Sequence, residues 1–194
     1  MDLTQIMFDI FGPYGMVGVV AVVFLAFFID ATVFPFLPEI FIILGFSYNP
    51  TPGFALVLLC TAIIAEILGN TALYSVVEHF GLPKKLKTIM EKYVDFLVVS
   101  DERMLLVNRI APMIPYSGAF ISGVDSWKLP RALKYIMLGC ILKYGTVLAL
   151  SSVFYAYFTS SVAQWLMIGL VFAVLIISFV ASYFKKKKTF GDAA

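Results

Sequence analysis

Charge is what this chain has least of. Only 13% of its 194 residues are Asp, Glu, Lys or Arg, and 61% are hydrophobic. Soluble domains are nearer a quarter charged. An ordinary water-soluble domain is therefore excluded, and an integral membrane protein with several spans is expected. Basic residues are missing until Lys84, although six acids precede it: Asp2, Asp9, Asp30, Glu39, Glu66 and Glu78. A cleavable secretory leader needs a basic start, so none is expected. There are two cysteines, Cys60 and Cys140, each inside an apolar run. They give neither a disulfide framework nor a metal spacing. The single histidine, His79, has no Cys or His at ligand distance in sequence. Phosphate-binding glycine loops, zinc signatures, nucleophile elbows and dinucleotide fingerprints are all missing. The basic residues are not interleaved with aromatics as on a nucleic-acid face. No metal, cofactor, nucleic-acid partner or catalytic group is expected, and the chain does not read as an enzyme.

Two proline-broken apolar segments stand out instead. The first runs Asp30-Ala-Thr-Val-Phe-Pro35-Phe-Leu-Pro38-Glu39, the second Arg109-Ile-Ala-Pro112-Met-Ile-Pro115. Each carries Pro-x-x-Pro and then a glycine, Gly45 or Gly123. Proline removes an amide donor and breaks a helix. Unpaired backbone in lipid costs several kcal/mol, so such breaks persist only where protein or water covers them. Charge within a membrane is a functional candidate for the same reason.

The expected fold is an all-α membrane protein in one domain, residues 1–190. Residues 15–46 read as a re-entrant hairpin and 54–80 as a span. Residues 82–100 read as an amphipathic surface helix, because Leu86, Ile89, Met90, Tyr93, Phe96 and Leu97 recur among Lys84, Lys85, Lys87 and Lys92. A second re-entrant hairpin follows at 101–124, with Ser100 to Arg103 as a capping signal. Spans are expected at 131–158 and 162–184, and a basic tail at 185–194. Basic flanks stay in the cytoplasm. The four lysines at 185–188 thus put the C-terminus inside, with the 84–92 lysines and Lys128/Arg131 on the same side. The first break then opens from outside and the second from inside, the pattern of an inverted repeat.

Several polar side chains fall inside these segments. Asp30 and Glu39 flank the first break and could carry a proton, with Glu66 a third candidate. Arg109 is the expected partner of Asp30 or Glu39, and its planar fork suits phosphate. Glu66, Asn70, Tyr74 and Glu78 are spaced by four and share one helix face. Asn70 and Tyr74 serve equally well for interhelical hydrogen bonding or for substrate. Lys143 lies deep in its span. Pro35, Pro38, Pro112, Pro115 and Gly123 shape the breaks.

The order of these motifs resembles the DedA family, also called the VTT or SNARE-associated domain. Asp30 and Pro35 keep the family's acid-to-proline spacing, and Pro38-Glu39 resembles its Pro-Gly-acid, without the glycine. Gly69-Asn70, Tyr74, Glu78 and Gly81 are similar to Gly-Asp-x-x-x-Tyr-x-x-x-Arg-x-x-Gly, with Asn for Asp and Glu for Arg. Arg109, Pro112 and Ser122-Gly123 fit the third motif, but Pro115 stands where a second arginine belongs. The resemblance covers about residues 15–158. It implies two re-entrant hairpins meeting in a cell membrane, here the plasma membrane of a prokaryote. It also implies flipping or scrambling of lipid, polyprenyl phosphate carriers in particular, with Asp30, Glu39 and Arg109 functional. The expected function is thus a proton-coupled lipid flippase or scramblase, with membrane lipid and protons as partners. A proton-coupled exporter of small cations is the alternative, favoured by the buried acids. A membrane-embedded lipid enzyme is the second alternative. Homo-oligomerisation stays open.

Overall fold

In a computed structural model, the structure describes residues 12–33, 37–95, 101–110, 114, 116–157, 162–163, 165–173, 176–177 and 180. Within these residues all regular structure is helical. After a short 3-10 turn, the helices are α1 (Gly15–Thr32), α2 (Pro38–Tyr48), α3 (Pro52–Phe80), α4 (Lys84–Asp95), α5 (Met104–Ile110), α6 (Ser117–Gly123) and α7 (Leu129–Tyr157). Prolines sit in the first turns of α2 and α3, where a missing N–H costs nothing. Thr51 caps α3 by accepting the Phe54 N–H.

Three helices are long and apolar enough to cross a membrane: α1, α3 and α7. The chain is therefore a helical membrane protein by length and composition. Large apolar side chains such as Leu25, Leu56, Ile64 and Leu142 stand exposed on the outer faces of these helices, as lipid contact requires. Two of the three match expected spans; the third, α1, belongs to the segment read as a re-entrant hairpin. The expected span at 162–184 is helical at 162–163, 165–173, 176–177 and 180 and otherwise lies outside the described residues. So do Pro35, Pro112, Pro115, Ser100 and the tail, while Pro38 opens α2 and Gly123 ends α6. Asp101 supplies the turn before α5, where its carboxylate accepts the Arg103 N–H at 2.9 Å. The Arg103 side chain, hydrogen-bonded to it, holds that carboxyl below the usual carboxylate range.

The packing places Ala31 and Gly118 beside Gly69 and Asn70, near the middle of α3. Helices α1 and α2 form one helical hairpin. Its two ends meet, with Asn49 Nδ2 3.5 Å from Met16 Sδ and Gly45 set against Val19 and Val23. Near the end of α1, Ala31 rests on Gly69 of α3. Helices α5 and α6 belong to a second stretch, whose two ends meet. Its base is closed by the buried Glu102, whose Oε1 accepts the Lys128 N–H at 2.9 Å. At the start of α6, Gly118 rests on the Asn70 backbone of α3. Gly123, at the other end of α6, meets Leu82 and Met90. One hairpin thus has its ends near the start of α3 and the other near its end. α7 runs past both: Gly139 touches Arg109, Tyr144 touches Phe27, and Tyr155 touches Phe46.

Only a hydrogen fits at Gly118. A Cβ there would lie 2.4 Å from the Asn70 carbonyl oxygen and 3.0 Å from Leu73 Cβ, and backbone cannot move aside cheaply. Gly53 has nothing within 4 Å of a built Cβ. Gly118→Ala is expected to destabilise the protein by roughly 1–3 kcal/mol, the usual cost of overpacking. Gly53→Ala, in an open helix turn, should be neutral or slightly stabilising. Thermal unfolding of the two variants in detergent checks this; equal melting temperatures would mean that α6 does not seat on α3 this closely.

Candidate functional site

Glu66 is the central residue of the 29-residue α3, and Lys143 is the central residue of the 29-residue α7. At 1.5 Å per residue each charge lies about 21 Å from either helix end. The sequence shift that carries Pro35 onto Pro112 and Pro38 onto Pro115 also carries Glu66 onto Lys143. Opposite charges therefore occupy matching places in the two stretches.

Each of these charges pairs with the hairpin from the other stretch. Arg109, near the end of α5, reaches α3 with both arms of its fork. Nη1 and Nη2 donate to Glu66 Oε1 and Oε2 at 2.6 and 2.8 Å. Parallel charge-assisted bonds of this kind are about twice as strong as neutral ones. Glu66 is fully buried, and the Arg109 side chain is 11% exposed. One turn along α3, Asn70 Nδ2 donates to Glu66 Oε2 at 3.1 Å and to the Glu66 carbonyl at 2.8 Å. Gly139 makes room for the arginine stem, since a Cβ there would be 2.6 Å from Arg109 Cγ. Lys143 forms the second pair, with Glu39 in the first turn of α2. An acid at that position also faces the positive end of the helix dipole.

Tyr144 ties the two pairs together. It is buried, stands edge-on to Phe27 at 4.7 Å, and lies within electrostatic reach of Glu66, Glu39 and Arg109. Cys140, one turn away and buried, is within reach of Arg109, Glu66, Lys143 and Asp30, which brings Asp30 to the same cluster. Three buried polar atoms here have no hydrogen-bond partner in the protein: Glu39 Oε2, Asn70 Oδ1 and Arg109 Nε. Buried polar atoms are seldom left so. Two acceptors and one donor around a pair of ion pairs are groups that a polar ligand could satisfy. Among the described residues, no group of His, Cys, Asp and Glu could hold a metal ion.

The second bend has its own backbone clasp. The Asn108 side chain accepts the Ile114 N–H at 2.6 Å and donates to the Ile114 carbonyl at 3.0 Å. Both polar groups of Ile114 are thereby satisfied away from any helix. Tyr116, just beyond, is held in the left-handed region at φ 52°, which costs a non-glycine residue roughly 1–3 kcal/mol.

The sequence expectation that Arg109 pairs with Asp30 or Glu39 is corrected: its partner is Glu66. Helix α5 packs on α7, and Arg109 extends past Gly139 to α3. Glu39 begins α2, which also packs on α7 and so meets Lys143 first. Asn70 contacts Glu66 directly. Tyr74 stands apart from the cluster, hydrogen-bonded to Glu78, whose Oε2 accepts from Ser122 Oγ at 3.0 Å. Asn108, Glu102 and Tyr144 escaped the sequence reading. Asn108 directly precedes Arg109 at a proline break, a signal for a backbone clasp. Glu102 falls inside the stretch read as a capping signal, but nothing in the sequence marks its bond to Lys128, and nothing marks Tyr144. No family model, curated protein or solved structure matches the chain.

Removing one partner of a buried pair leaves an uncompensated charge, at a cost of about 3–5 kcal/mol. Arg109→Met alone should therefore destabilise by that order, and Glu66→Leu with Arg109→Met should recover most of the loss. A double-mutant cycle by denaturation in detergent measures this. Additive losses would show that the pair is not coupled in the folded protein.

Proposed function

We propose that the chain is a DedA-like lipid transporter, a flippase or scramblase for an anionic phospholipid or a phosphorylated polyprenyl carrier. The observation that carries this reading is the buried Arg109–Glu66 fork with its unpaired Nε atom. Glu66 presents to the guanidinium the same two-oxygen face that a phosphate monoester would present. Carboxylate and lipid phosphate would therefore compete for one cation.

A proton decides that competition. Once Glu66 is protonated it no longer neutralises Arg109, and phosphate takes the fork. When phosphate leaves, Glu66 loses its proton and the ion pair reforms. Lys143 and Glu39 repeat this arrangement on the other hairpin, so Glu39 and Asp30 are further proton carriers. The stoichiometry has a physical use. Moving one negative charge against an inside-negative potential costs about 2.3 kcal/mol per 100 mV, and a proton moving with it cancels that cost.

The re-entrant reading is supported by the Asn49–Met16 and Glu102–Lys128 contacts lying toward opposite ends of α3 while Ala31 and Gly118 approach Gly69 and Asn70. The matched positions of Glu66 and Lys143 support an inverted repeat, with the second bend opening to the cytoplasm and the C-terminus inside. Asp30, Glu39 and Glu66 outnumber Arg109 and Lys143 in the cluster, which favours a proton-coupled exporter of cations as the second reading.

Translocation of fluorescent polyprenyl phosphate and phospholipid in proteoliposomes, with and without a pH gradient, tests both. Wild type should move the anionic lipid and respond to the gradient. Arg109→Lys keeps the charge but loses the fork, and transport should fall about tenfold, as expected when a charged hydrogen bond worth roughly 1.5 kcal/mol is lost. Glu66→Gln should still move lipid but respond less to the gradient, and Glu66→Gln with Glu39→Gln less again. Unchanged transport by folded Arg109→Lys would reduce Arg109 to a structural counter-ion. Movement of a lipophilic cation in place of lipid would establish the exporter.

A further inference from the structure

Helix α4 carries a broad apolar surface, and the protein covers only part of it. Met90 and Val94 are 5% and 3% exposed. Met90 packs against Gly123, and α4 contacts α6. Leu86, Ile89 and Tyr93 are 43%, 62% and 40% exposed. Their spacing of three and four puts them on one stripe. The stripe adjoins the buried face on one side. On its other side lie Lys85 and Lys92, which are two helical turns apart and both exposed. Thr88 and Lys84 are also exposed and follow round the helix.

The remaining charges lie away from this stripe. Lys87 is committed to the protein, with Nζ 2.6 Å from Asp125 Oδ1; that bond raises its pKa above the usual lysine value. Glu91, one turn beyond Lys87, shares its side of the helix and interacts with it electrostatically. Glu91 is thus kept on the side of the helix opposite the apolar stripe. The Lys87–Asp125 bond and the Met90 contact also fix the rotation of α4, so the second stripe faces outward permanently. The helix follows directly from the end of α3, a candidate span that finishes at the exposed Phe80.

We propose that α4 is a docking surface for anionic membrane lipid. Leu86, Ile89 and Tyr93 enter the boundary between headgroups and acyl chains, and Lys85 and Lys92 bind phosphate headgroups beside them. The charge pattern selects this occupant: the stripe itself holds no acid and is edged by Lys85 and Lys92, while Asp95, the last residue of α4, lies farther round beside Thr88 and Lys84, a pattern that fits an anionic leaflet. Lysine stems reach along apolar surface while their ammonium groups stay at the polar boundary. This site is independent of the transport reading and holds for any function of the membrane domain.

Hydrogen–deuterium exchange of the full protein in nanodiscs holding a single copy tests it. Each lysine near an anionic surface contributes about a fivefold preference, so exchange across residues 84–95 should be up to roughly thirtyfold slower with about one-third phosphatidylglycerol than with phosphatidylcholine alone. Lys85→Gln with Lys92→Gln, or added salt at about 0.5 M, should remove the difference. Lys87→Gln should loosen α4 in both lipids and leave the difference in place. Equal exchange in the two lipids would overturn the proposal. Protection seen only in discs with two copies would also overturn it, and would assign the stripe to contact between copies of the chain.

Discussion

A carboxylate at the centre of a long apolar helix cannot be left alone, and most of the architecture follows from that constraint. Glu66 must find a cation within the bundle. Arg109 supplies it from the last described turn of α5, which lies at the level of Glu66. The approach is close, and small residues line it. Gly139 admits the arginine stem, and Gly118 lets α6 rest on α3. In lipid, where burying apolar surface against apolar surface gains little, helices associate through such close contacts and through polar groups. Charge pairing and glycine placement here serve one end, the docking of two broken helices against two continuous ones.

The breaks themselves require a complete backbone account. An interrupted helix exposes N–H and C=O groups that lipid cannot satisfy. Asn108 handles two of them with one amide side chain, and Glu102 holds another at the base of the same hairpin. Tyr116 shows that the turn is held against its own preference. Polar side chains that look incidental in sequence therefore carry the irregular backbone.

The helices were legible in sequence because apolar runs, proline and glycine act locally. Expected spans at 54–80 and 131–158 differ from α3 and α7 by two residues or fewer at each end. The list of charged candidates was legible too, because a charge in an apolar run is conspicuous: Asp30, Glu39, Glu66, Arg109 and Lys143 do gather. Their pairing was not. Which acid meets Arg109 depends on the height at which α5 stops against α7, and no local pattern encodes that height. The stripe of four on α3 is a similar case. Its periodicity is real, but only Glu66 and Asn70 reach the cluster, and Tyr74 and Glu78 lie farther along the same face. Periodicity gives the face of a helix, and depth along it comes from packing.

The pairing also bears on how the chain is made. Glu66 is synthesised well before Arg109, and Glu39 long before Lys143. α3 must therefore enter the membrane with an unanswered carboxylate at its midpoint, a burden of about 2.5–3.5 kcal/mol on insertion scales. Its strongly apolar flanks can bear that burden. Until the ribosome has delivered the second hairpin and α7, the nascent protein holds two acids whose counter-charges do not yet exist. The first half alone is thus an assembly intermediate, and quality control could recognise it by that missing charge.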